Sequence, residues 1–164
     1  MAIDVYLQID GTKGESQDDK HKDWLECETV HCGKSQPRSA TSSTGSGHTA
    51  ERAELEEITF SKAADLASPI LMQHCAMGKT IPKAKLEFMR ADGLGMPIKY
   101  FEIELENVLI GSISPGIAAG TLLSEHVSLK FSKVKWKYSR QKIGGGLGGS
   151  TVGGWDLAAN RVAV

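Results

Sequence analysis

Three glutamates at alternate positions come nearest, in residue type and spacing, to the machinery of an enzyme. Glu102, Glu104 and Glu106 are separated by apolar residues, and side chains two apart on a strand lie on one face. Carboxylates that share a face are what general acid–base catalysis requires. A row of three is also typical of a solvent-exposed strand face, and neither a G-x-S-x-G nor an H-E-x-x-H motif is present. The sequence therefore predicts a protein that is not an enzyme, with no catalytic residue.

A row of lysines with the same spacing follows further along the chain. Its members are Lys133, Lys135 and Lys137. Sequential strands usually pair antiparallel, so the two rows are expected to form cross-strand ion pairs within one subunit. Two alternatives stay open: one or both rows lie at a subunit boundary and set its register, or the lysines line a nucleic-acid groove. Trp136 and Tyr138 lie on the opposite face, which disfavours the groove.

Cofactor and metal motifs are present only in part. Residues 144–149 match G-x-G-x-x-G, but residues 152–154 are Val-Gly-Gly, where a dinucleotide site needs a helix. On a strand, Cys27 and Cys32 would point to opposite faces, with His31 between them in sequence. That is poor geometry for a tetrahedral metal site, so we expect no cofactor and no metal.

Length and composition limit the class of protein. The chain has 164 residues, of which 40% are hydrophobic and 24% charged, values that suit one globular domain over 1–164. The formal net charge of −1 argues against a strongly basic nucleic-acid binder. The first residues lack the pattern of a secretory signal, and the longest uncharged stretch, 108–123, is too short to span a bilayer. An odd number of cysteines, three, favours free thiols in a reducing cytoplasm.

Alternating apolar residues predict strands along most of the chain. Such segments begin near residues 3, 24, 55, 85, 101 and 127. Residues 92–95 carry a turn signal, and the alternation slips by one residue after Phe131, which predicts a β-bulge inside a long strand. Residues 144–154 are predicted to be a flexible segment that precedes a short strand at 154–157. The pattern as a whole indicates a mostly β domain, a barrel or a sandwich.

One helix is predicted, over residues 68–77. Ser68 is the expected N-cap, or Asp65 if the helix starts earlier; Pro69 lies in the first turn in either case, and Gly78 follows the last turn. Earlier in the chain, residues 34–49 are Ser, Thr or Gly at most positions, with too few apolar groups to pack into a core. Such a segment is either a loop without fixed structure or an arm that orders against another subunit.

Four segments carry a resemblance to a known family. They are residues 9–16 (Ile-Asp-Gly-Thr-Lys-Gly-Glu-Ser) with the following Asp18 or Asp19 and His21, residues 35–37 (Ser-Gln-Pro), the helix that begins Ser68-Pro69 and ends at Cys75-Ala76-Met77-Gly78-Lys79, and residues 154–157 (Gly-Trp-Asp-Leu). In this order they strongly resemble the haemolysin-coregulated protein (Hcp) family, the tube proteins of bacterial type VI secretion systems. The match runs from about Ala2 to Asn160.

The resemblance implies a fold, an assembly and partners. The fold is a compact β-barrel of two sheets with one flanking α-helix, and the assembly is a homohexameric ring with a wide central hole. Rings stack into a tube that a contractile sheath ejects, with a spike protein at the tip and effector proteins in the lumen. The protein would be cytoplasmic during assembly and then extracellular, without a cleaved signal, and would bind no nucleic acid and insert into no membrane. A small barrel that binds a ligand or nucleic acid is the alternative.

The resemblance also gives roles to residues. The loop over 34–49 would reach an adjacent subunit or the next ring, and the charged rows would lie at ring contacts. The candidate contact residues in the loop are Gln36, Pro37, Arg38, Ser39, Thr44 and His48. Thr29 and His31 lie on a strand that the resemblance places along the inner wall, so they are expected to face the lumen.

Overall fold

The computed structural model describes residues 3–35 and 53–164. Most of the predicted loop therefore lies outside the described residues. The candidate contacts that lie there are Gln36, Pro37, Arg38, Ser39, Thr44 and His48.

The described residues form strands β1 to β12 and one helix, α1. The strands are β1 (Ile3–Ile9), β2 (Leu25–Cys27), β3 (Thr29–His31), β4 (Lys34–Ser35), β5 (Glu54–Leu55), β6 (Ile58–Ala63), β7 (Thr80–Ala91), β8 (Pro97–Gly116), β9 (Ser124–Lys130), β10 (Lys133–Gln141), β11 (Leu147–Asp156) and β12 (Arg161–Val162), and α1 is Ser68–Met77. This composition confirms the predicted fold class, mostly β with one helix. No helix in this part of the chain is long and apolar enough to cross a membrane.

The strand pairs, all antiparallel, lead around a circuit. β1 pairs with β7, β7 with β8, β8 with β9, β9 with β6, and β6 with β3. β2, which also pairs with β1, continues through Glu28 into β3, so the circuit returns to β1 along the chain. The backbone N–H of Glu28 donates to the carbonyl oxygen of Ser61 on β6 over 2.8 Å. β10, β11 and β12 extend the sheet from β8, and β4 with β5 forms a second, two-stranded sheet.

The inside of this circuit is filled by the apolar members of each alternating pattern. β8 contributes Ile103 and Leu105, β7 contributes Leu86, and α1, which packs against β8, contributes Leu71; each is at most 1% exposed. Burial at about 25 cal/mol per Å² of apolar surface makes this core the main stabilising term of the fold. The other buried apolar residues of this core cluster are Leu7, Ile9, Leu25, Ile58, Phe60, Ala67, Ile81, Ala84, Val108, Ile110, Val127, Leu129 and Val134.

The phase slip after Phe131 has a different cause from the one predicted. The chain does not bulge inside one strand there, because β9 ends at Lys130 and β10 begins at Lys133. β9 pairs with the second part of β8 and β10 with the first. At the corner, Asn107 of β8 has a positive φ of 53° and its side-chain amide donates to the hydroxyl of Ser132 over 2.9 Å. The slip therefore marks a bend where the sheet turns, since Asn is among the residues that tolerate this backbone conformation.

The structure also contradicts the prediction that the glycine-rich residues 144–154 form a flexible segment. Residues 147–156 form the ten-residue strand β11, which pairs with β10 along its length, so only the turn before Leu147 remains of the predicted flexible segment. Glycine is unfavourable in an isolated strand, but here it permits close packing. A Cβ on Gly154 would overlap the carbonyl oxygen of Ala163, and a Cβ on Gly153 would touch the ring of Trp136 at 3.8 Å.

The structure confirms the cap predicted at the C-terminal end of the helix and contradicts the N-cap predicted at Ser68. Gly78 adopts the left-handed conformation at the C-terminal end, with φ 64°, as the sequence predicts. Ser68 is not the N-cap: that position is Ala67, whose own side chain makes no capping hydrogen bond, while the carboxylate of Asp65 accepts from the N–H of Ala67 at 2.9 Å. The Ser68 hydroxyl instead donates to the carboxylate of Glu125, because that carboxylate is buried beside the helix and needs a donor.

The close approach at Gly154 gives a test of the β11 packing. We expect Gly154→Ala to lower the free energy of unfolding by about 1–3 kcal/mol, because the added methyl group forces the backbone near Ala163 to move. Gly149 on the same strand has nothing within 4 Å of its Cβ position, so Gly149→Ala is the matched control and should change stability by less than about 1 kcal/mol. Urea unfolding measures both; equal effects would contradict the packing assigned to Gly154.

Candidate functional site

The glutamate and lysine rows face each other on the outside of the sheet. In the register of β8 and β10, Lys133 lies opposite Glu106, Lys135 opposite Glu104, and Lys137 opposite Glu102. Directly opposite residues of antiparallel strands share a face. The rows therefore meet within one chain, which is the first of the interpretations that the sequence allows.

Further charges from β7 and β11 complete the pattern. Lys83 and Lys85 of β7 lie opposite Glu106 and Glu104, and Asp156 of β11 lies opposite Lys133. One cross-strand row thus alternates in charge from Asp156 to Lys133, Glu106 and Lys83. We call this surface the charged face: Lys83, Lys85, Glu87, Lys99, Glu102, Glu104, Glu106, Lys133, Lys135, Lys137 and Asp156.

The ion pairs are strongest where the face is most buried. The Lys133 Nζ lies 3.5 Å from a Glu106 carboxylate oxygen, with both side chains more than 40% exposed. Glu102, by contrast, is 7% exposed and contacts both Lys99 and Lys85, the latter at 3.4 Å. The expectation of a solvent-exposed row is therefore wrong for Glu102, whose charge is enclosed by two ammonium groups.

The neighbouring glutamates titrate in opposite directions. Burial acts to raise the pKa of Glu102, but hydrogen bonds with Glu104 and Lys99, with the charges of Lys99 and Lys85, outweigh it and hold the pKa below its usual value. The hydrogen bond shared with Glu102, followed by burial, raises the pKa of Glu104. The pKa values of adjacent carboxylates move apart in this way because one ionised group disfavours ionisation of the other. The arrangement is that of a charge network, and depressions of about 240 and 400 Å³ lie along it.

Sequence reasoning missed the residues that hold Glu102. Lys85 and Glu87 belong to β7, and Lys99 lies just after the 92–95 turn. The turn signal was the available clue, because a hairpin between β7 and β8 brings these charges beside the glutamates. That turn is present: the side-chain oxygen of Asp92 accepts from the N–H groups of Leu94 and Met96 at 2.8 and 2.9 Å.

A second outer surface has contrasting chemistry. It consists of two cross-strand rows on β3, β6, β9 and the end of β8, running Thr29–Ser61–His126–Ser114 and His31–Thr59–Ser128–Ser112. We call it the hydroxyl–histidine face. None of its residues is Lys, Arg, Asp or Glu.

Hydrogen bonds between neighbouring hydroxyls order this face. Thr29 and Ser61 are 2.5 Å apart, and Ser112 and Ser128 are 2.8 Å apart. Most of its residues line a depression of about 170 Å³. The side chain of His31 is 74% exposed. The surface can thus offer donors and acceptors to a passing molecule while carrying little charge.

Ion pairs lie around the hydroxyl–histidine face. Glu56 approaches the Nε2 of His31 at 3.7 Å. Glu57 pairs with Lys130 at 3.5 Å, which leaves little net charge at that border. Thr29 and His31, the residues expected at the inner wall, therefore lie together on a face whose own residues include no Lys, Arg, Asp or Glu.

A buried ion cluster supports this face from beneath. Lys62 is fully buried, with its Nζ 2.8 Å from Asp65 and 3.6 Å from Glu125, which is also fully buried. Glu125 in turn accepts from Ser68, so the cluster joins β6, β9 and the start of α1. A buried charge left without its partner costs about 3–5 kcal/mol, which makes this cluster a structural element.

The cysteines and histidines do not form a metal site within the described residues. All three cysteines there are free. Burial raises the pKa of Cys27 to about 12, so its thiol stays protonated and is a poor nucleophile or metal ligand.

The base of the predicted loop is fixed at two places. Lys34–Ser35 pairs with Glu54–Leu55, which brings the two ends of the intervening segment together. The Lys34 ammonium also lies 4.7 Å from the centre of the Trp136 ring on β10, a cation–π contact. The described residues that flank this segment, Lys34–Ser35 and Glu54–Leu55, therefore lie together, with Lys34 beside β10.

Comparisons with known proteins agree with one another. Residues 6–138 match the family model described as "Type VI secretion system effector, Hcp". The chain is 35% identical over 162 residues to Protein hcp1 of Pseudomonas aeruginosa, covering 98% of each chain. It resembles the crystal structure of Hcp1 from Salmonella typhimurium with a TM-score of 0.81 and 31% identity, covering 99% of this chain and 100% of that one. A structure titled as a type six secretion system protein gives a TM-score of 0.92 with 27% identity and the same coverage.

The family match covers most of the chain, and the full-length relative exceeds 30% identity. The chain therefore belongs to the Hcp family and is a tube protein of type VI secretion. The comparisons give no support to the alternative of a small barrel that binds a ligand or nucleic acid.

Glu102 is more buried than Glu106, so we expect neutralising these two glutamates to have unequal effects on the free energy of unfolding. Glu102→Gln should lower the free energy of unfolding by about 1–3 kcal/mol, because it removes one of the two largely buried carboxylates that pair with Lys99 and Lys85, the other being Glu87. Glu106→Gln, the matched control, removes a half-exposed pair and should cost less than about 1 kcal/mol.

The same pair of variants carries a pH signature. A folded-state pKa that is lowered, as for Glu102, contributes stability above the unfolded value of about 4.3 and loses it as pH falls through the folded value. The difference in the free energy of unfolding between wild type and Glu102→Gln should therefore become smaller as the pH is lowered. Urea unfolding at pH 7 and at pH 3–4 measures it, and a gap that persists at the lower pH would contradict the assigned ion pairs.

Proposed function

Because the chain is a type VI secretion tube protein, we propose that six copies close into a ring with a wide central hole and that the rings stack into the tube. The observation that carries this proposal is the contrast between the charged face and the hydroxyl–histidine face. A ring subunit has one surface toward the hole and another toward the outside, and these have different tasks. Ring closure in addition needs head-to-tail contacts between unlike patches.

The hydroxyl–histidine face lines the hole. Thr29 and His31 lie on it, and its hydroxyls form short-lived hydrogen bonds without the strong attraction or repulsion that a charged wall would exert on cargo. Cargo of either charge sign can then be held in the lumen. Effector proteins are the proposed cargo.

The charged face lies toward the outside and toward subunit boundaries. Most of its charges are matched within the chain, so it adds little net charge to the assembly. Lys137 differs, because its cross-strand neighbour Glu102 is already occupied by Lys99 and Lys85. Among the described residues neither Lys137 nor Lys135 forms an ion pair, so both lysines are able to pair with a carboxylate of another subunit. The other candidate contacts are Glu102, Glu104, Glu106 and Lys133.

The loop over 34–49 makes the contact to an adjacent subunit or to the next ring. Support comes from its base, because the β4–β5 pairing and the Lys34–Trp136 contact fix the point from which it leaves. A fixed base reduces the conformational entropy that the loop loses when it docks. Gln36, Pro37, Arg38 and the residues beyond them would then meet a neighbouring copy.

The remaining partners are those of the secretion machine. The tube assembles in the cytoplasm inside the sheath, carries the spike protein at its tip, and leaves the cell without a cleaved signal peptide. Its role is structural, with no catalytic step, no nucleic acid and no insertion into a membrane. The chain 1–164 acts as one domain in this assembly.

The mass of the protein in solution tests ring formation directly. We expect multi-angle light scattering to give six times the 17.6 kDa mass of one chain, with rings in negative-stain images of the same peak. A monomer at every concentration, also in the presence of the spike protein, would contradict the ring.

Cargo retention tests which face lines the hole. His31→Trp should weaken capture of an effector from the same secretion system by at least about tenfold, because a large ring replaces a polar contact inside a confined wall. Gln8→Trp is the matched control, since Gln8 is exposed on β1 beside the charged face. Both variants should keep the ring mass of wild type. Equal capture by both, with intact rings, would place His31 outside the lumen.

A further inference from the structure

His21 lies buried between two carboxylates. Its side chain is 1% exposed, its Nδ1 is 2.6 Å from an oxygen of Asp18, and its Nε2 is 2.6 Å from an oxygen of Glu87. The imidazole stacks on Tyr6 with a centroid distance of 4.2 Å and meets the edge of Trp24 at 4.8 Å. Both ring nitrogens are therefore held in hydrogen-bond geometry, and the ring cannot turn away from either carboxylate.

The number of protons follows from this geometry. A neutral imidazole has one N–H and one nitrogen lone pair. With two ionised carboxylates, one carboxylate oxygen would then face a lone pair at 2.6 Å, which is repulsive. Hydrogen bonds form on both sides only if the three groups together hold one more proton, either as an imidazolium or as one carboxylic acid.

We propose that Asp18, His21 and Glu87 form a proton-binding site, which takes up one proton when the chain folds. Its ligand is a single proton shared along the two short contacts. This inference does not depend on ring formation, because all three groups belong to one chain.

The surrounding charges are compatible with an added proton. Lys99 and Lys85 approach Glu87 at 3.3 and 3.7 Å from the side away from His21, and Glu102 offsets them. The backbone N–H of Lys20 donates to the oxygen of Asp18 that contacts His21.

Two pKa shifts at the edge of the site agree with this picture. The hydrogen bond from His21 lowers the pKa of Asp18. Burial, followed by the charges of Asp18, Asp4 and Glu26, raises the pKa of Tyr6 to about 12. Tyr6 thus stays neutral over the range in which the site would release its proton.

The site holds a segment of chain in place. Residues 11–24 connect β1 to β2, and backbone hydrogen bonds close their base, among them that from Gly14 to Asp23 at 2.7 Å. Across the gap to β7, His21 contacts Glu87 directly. Loss of the shared proton would therefore release this segment from β7 before the core opens, because the rest of its hydrogen bonds are local.

The sign of the pH effect is fixed by proton counting. Above the reference value of about 6.5, a histidine in the unfolded chain has lost its proton, and both carboxylates are ionised. The folded state then binds one proton more than the unfolded state, so stability falls as pH rises. One proton corresponds to a tenfold rise in the unfolding equilibrium constant per pH unit, until the folded site itself releases the proton.

Glu87→Gln is expected to remove the extra proton from the site while keeping both hydrogen bonds of His21. A glutamine amide can donate to Nε2 while the neutral imidazole donates from Nδ1 to Asp18, so both contacts persist without the extra proton. Asp18→Asn achieves the same on the other side and serves if the first variant folds poorly. Glu28→Gln is the matched control, because Glu28 is an exposed carboxylate outside the site.

The test is urea unfolding of the full chain between pH 6.5 and 8 at one protein concentration, a range in which the Cys27 thiol, whose pKa burial raises, adds little slope of its own. We expect wild type and Glu28→Gln to lose stability with a slope approaching one proton, and Glu87→Gln to lose most of that slope. Nitrogen NMR of histidine-labelled protein, with the His21 signals assigned by their absence from His21→Asn, should show a proton on or shared with both ring nitrogens at pH 7. An equal slope in wild type and Glu87→Gln, or a single neutral tautomer of His21 with both carboxylates ionised, would overturn the proposal whatever the ring mass.

Discussion

The register between β8 and its neighbours is the constraint on which the rest of the structure depends. β8 pairs with β7 along most of its length, with β10 in its first part and with β9 in its second. Because side chains alternate along a strand, this register sends Ile103 and Leu105 into the core and the glutamates to the outside. A shift by one residue would exchange the two sets, burying charges and exposing apolar surface. Hydrophobic burial therefore selects the register, and the ion pairs follow from it.

The same long strand carries both outer surfaces. Its first part presents the glutamates of the charged face, and after the bend at Asn107 its second part presents Ser112 and Ser114 of the hydroxyl–histidine face. One continuous strand thus joins a surface rich in paired charges to one without them. Under the proposed assignment of these surfaces to the inside and the outside of the tube, a single set of backbone hydrogen bonds positions both of them.

Glu87 connects the charged face to the segment between β1 and β2. One of its carboxylate oxygens contacts Lys99 and the other contacts His21. The protonation of the His21 site and the charge balance of the outer face are for this reason not independent. A change in either alters the electrostatic field at the other, since both act on one carboxylate across a few ångströms of partly buried protein.

By itself the sequence determined most of the strands, the helix and the 92–95 turn, because these depend on local alternation and on neighbours in the chain, and it offered the pairing of the two charged rows within one subunit as one of three interpretations. It also carried the family resemblance. Only the tertiary structure decided that residues 147–156 form a strand, that Glu102 is buried, and that Thr29 and His31 share a face with His126. Each depends on contacts that local alternation does not reveal: pairing with β10 for the glycine strand, Lys85 of β7 for Glu102, and β6 and β9 for the face. Local patterns report which side chains prefer water, whereas burial and proton sharing arise from which elements the fold brings together.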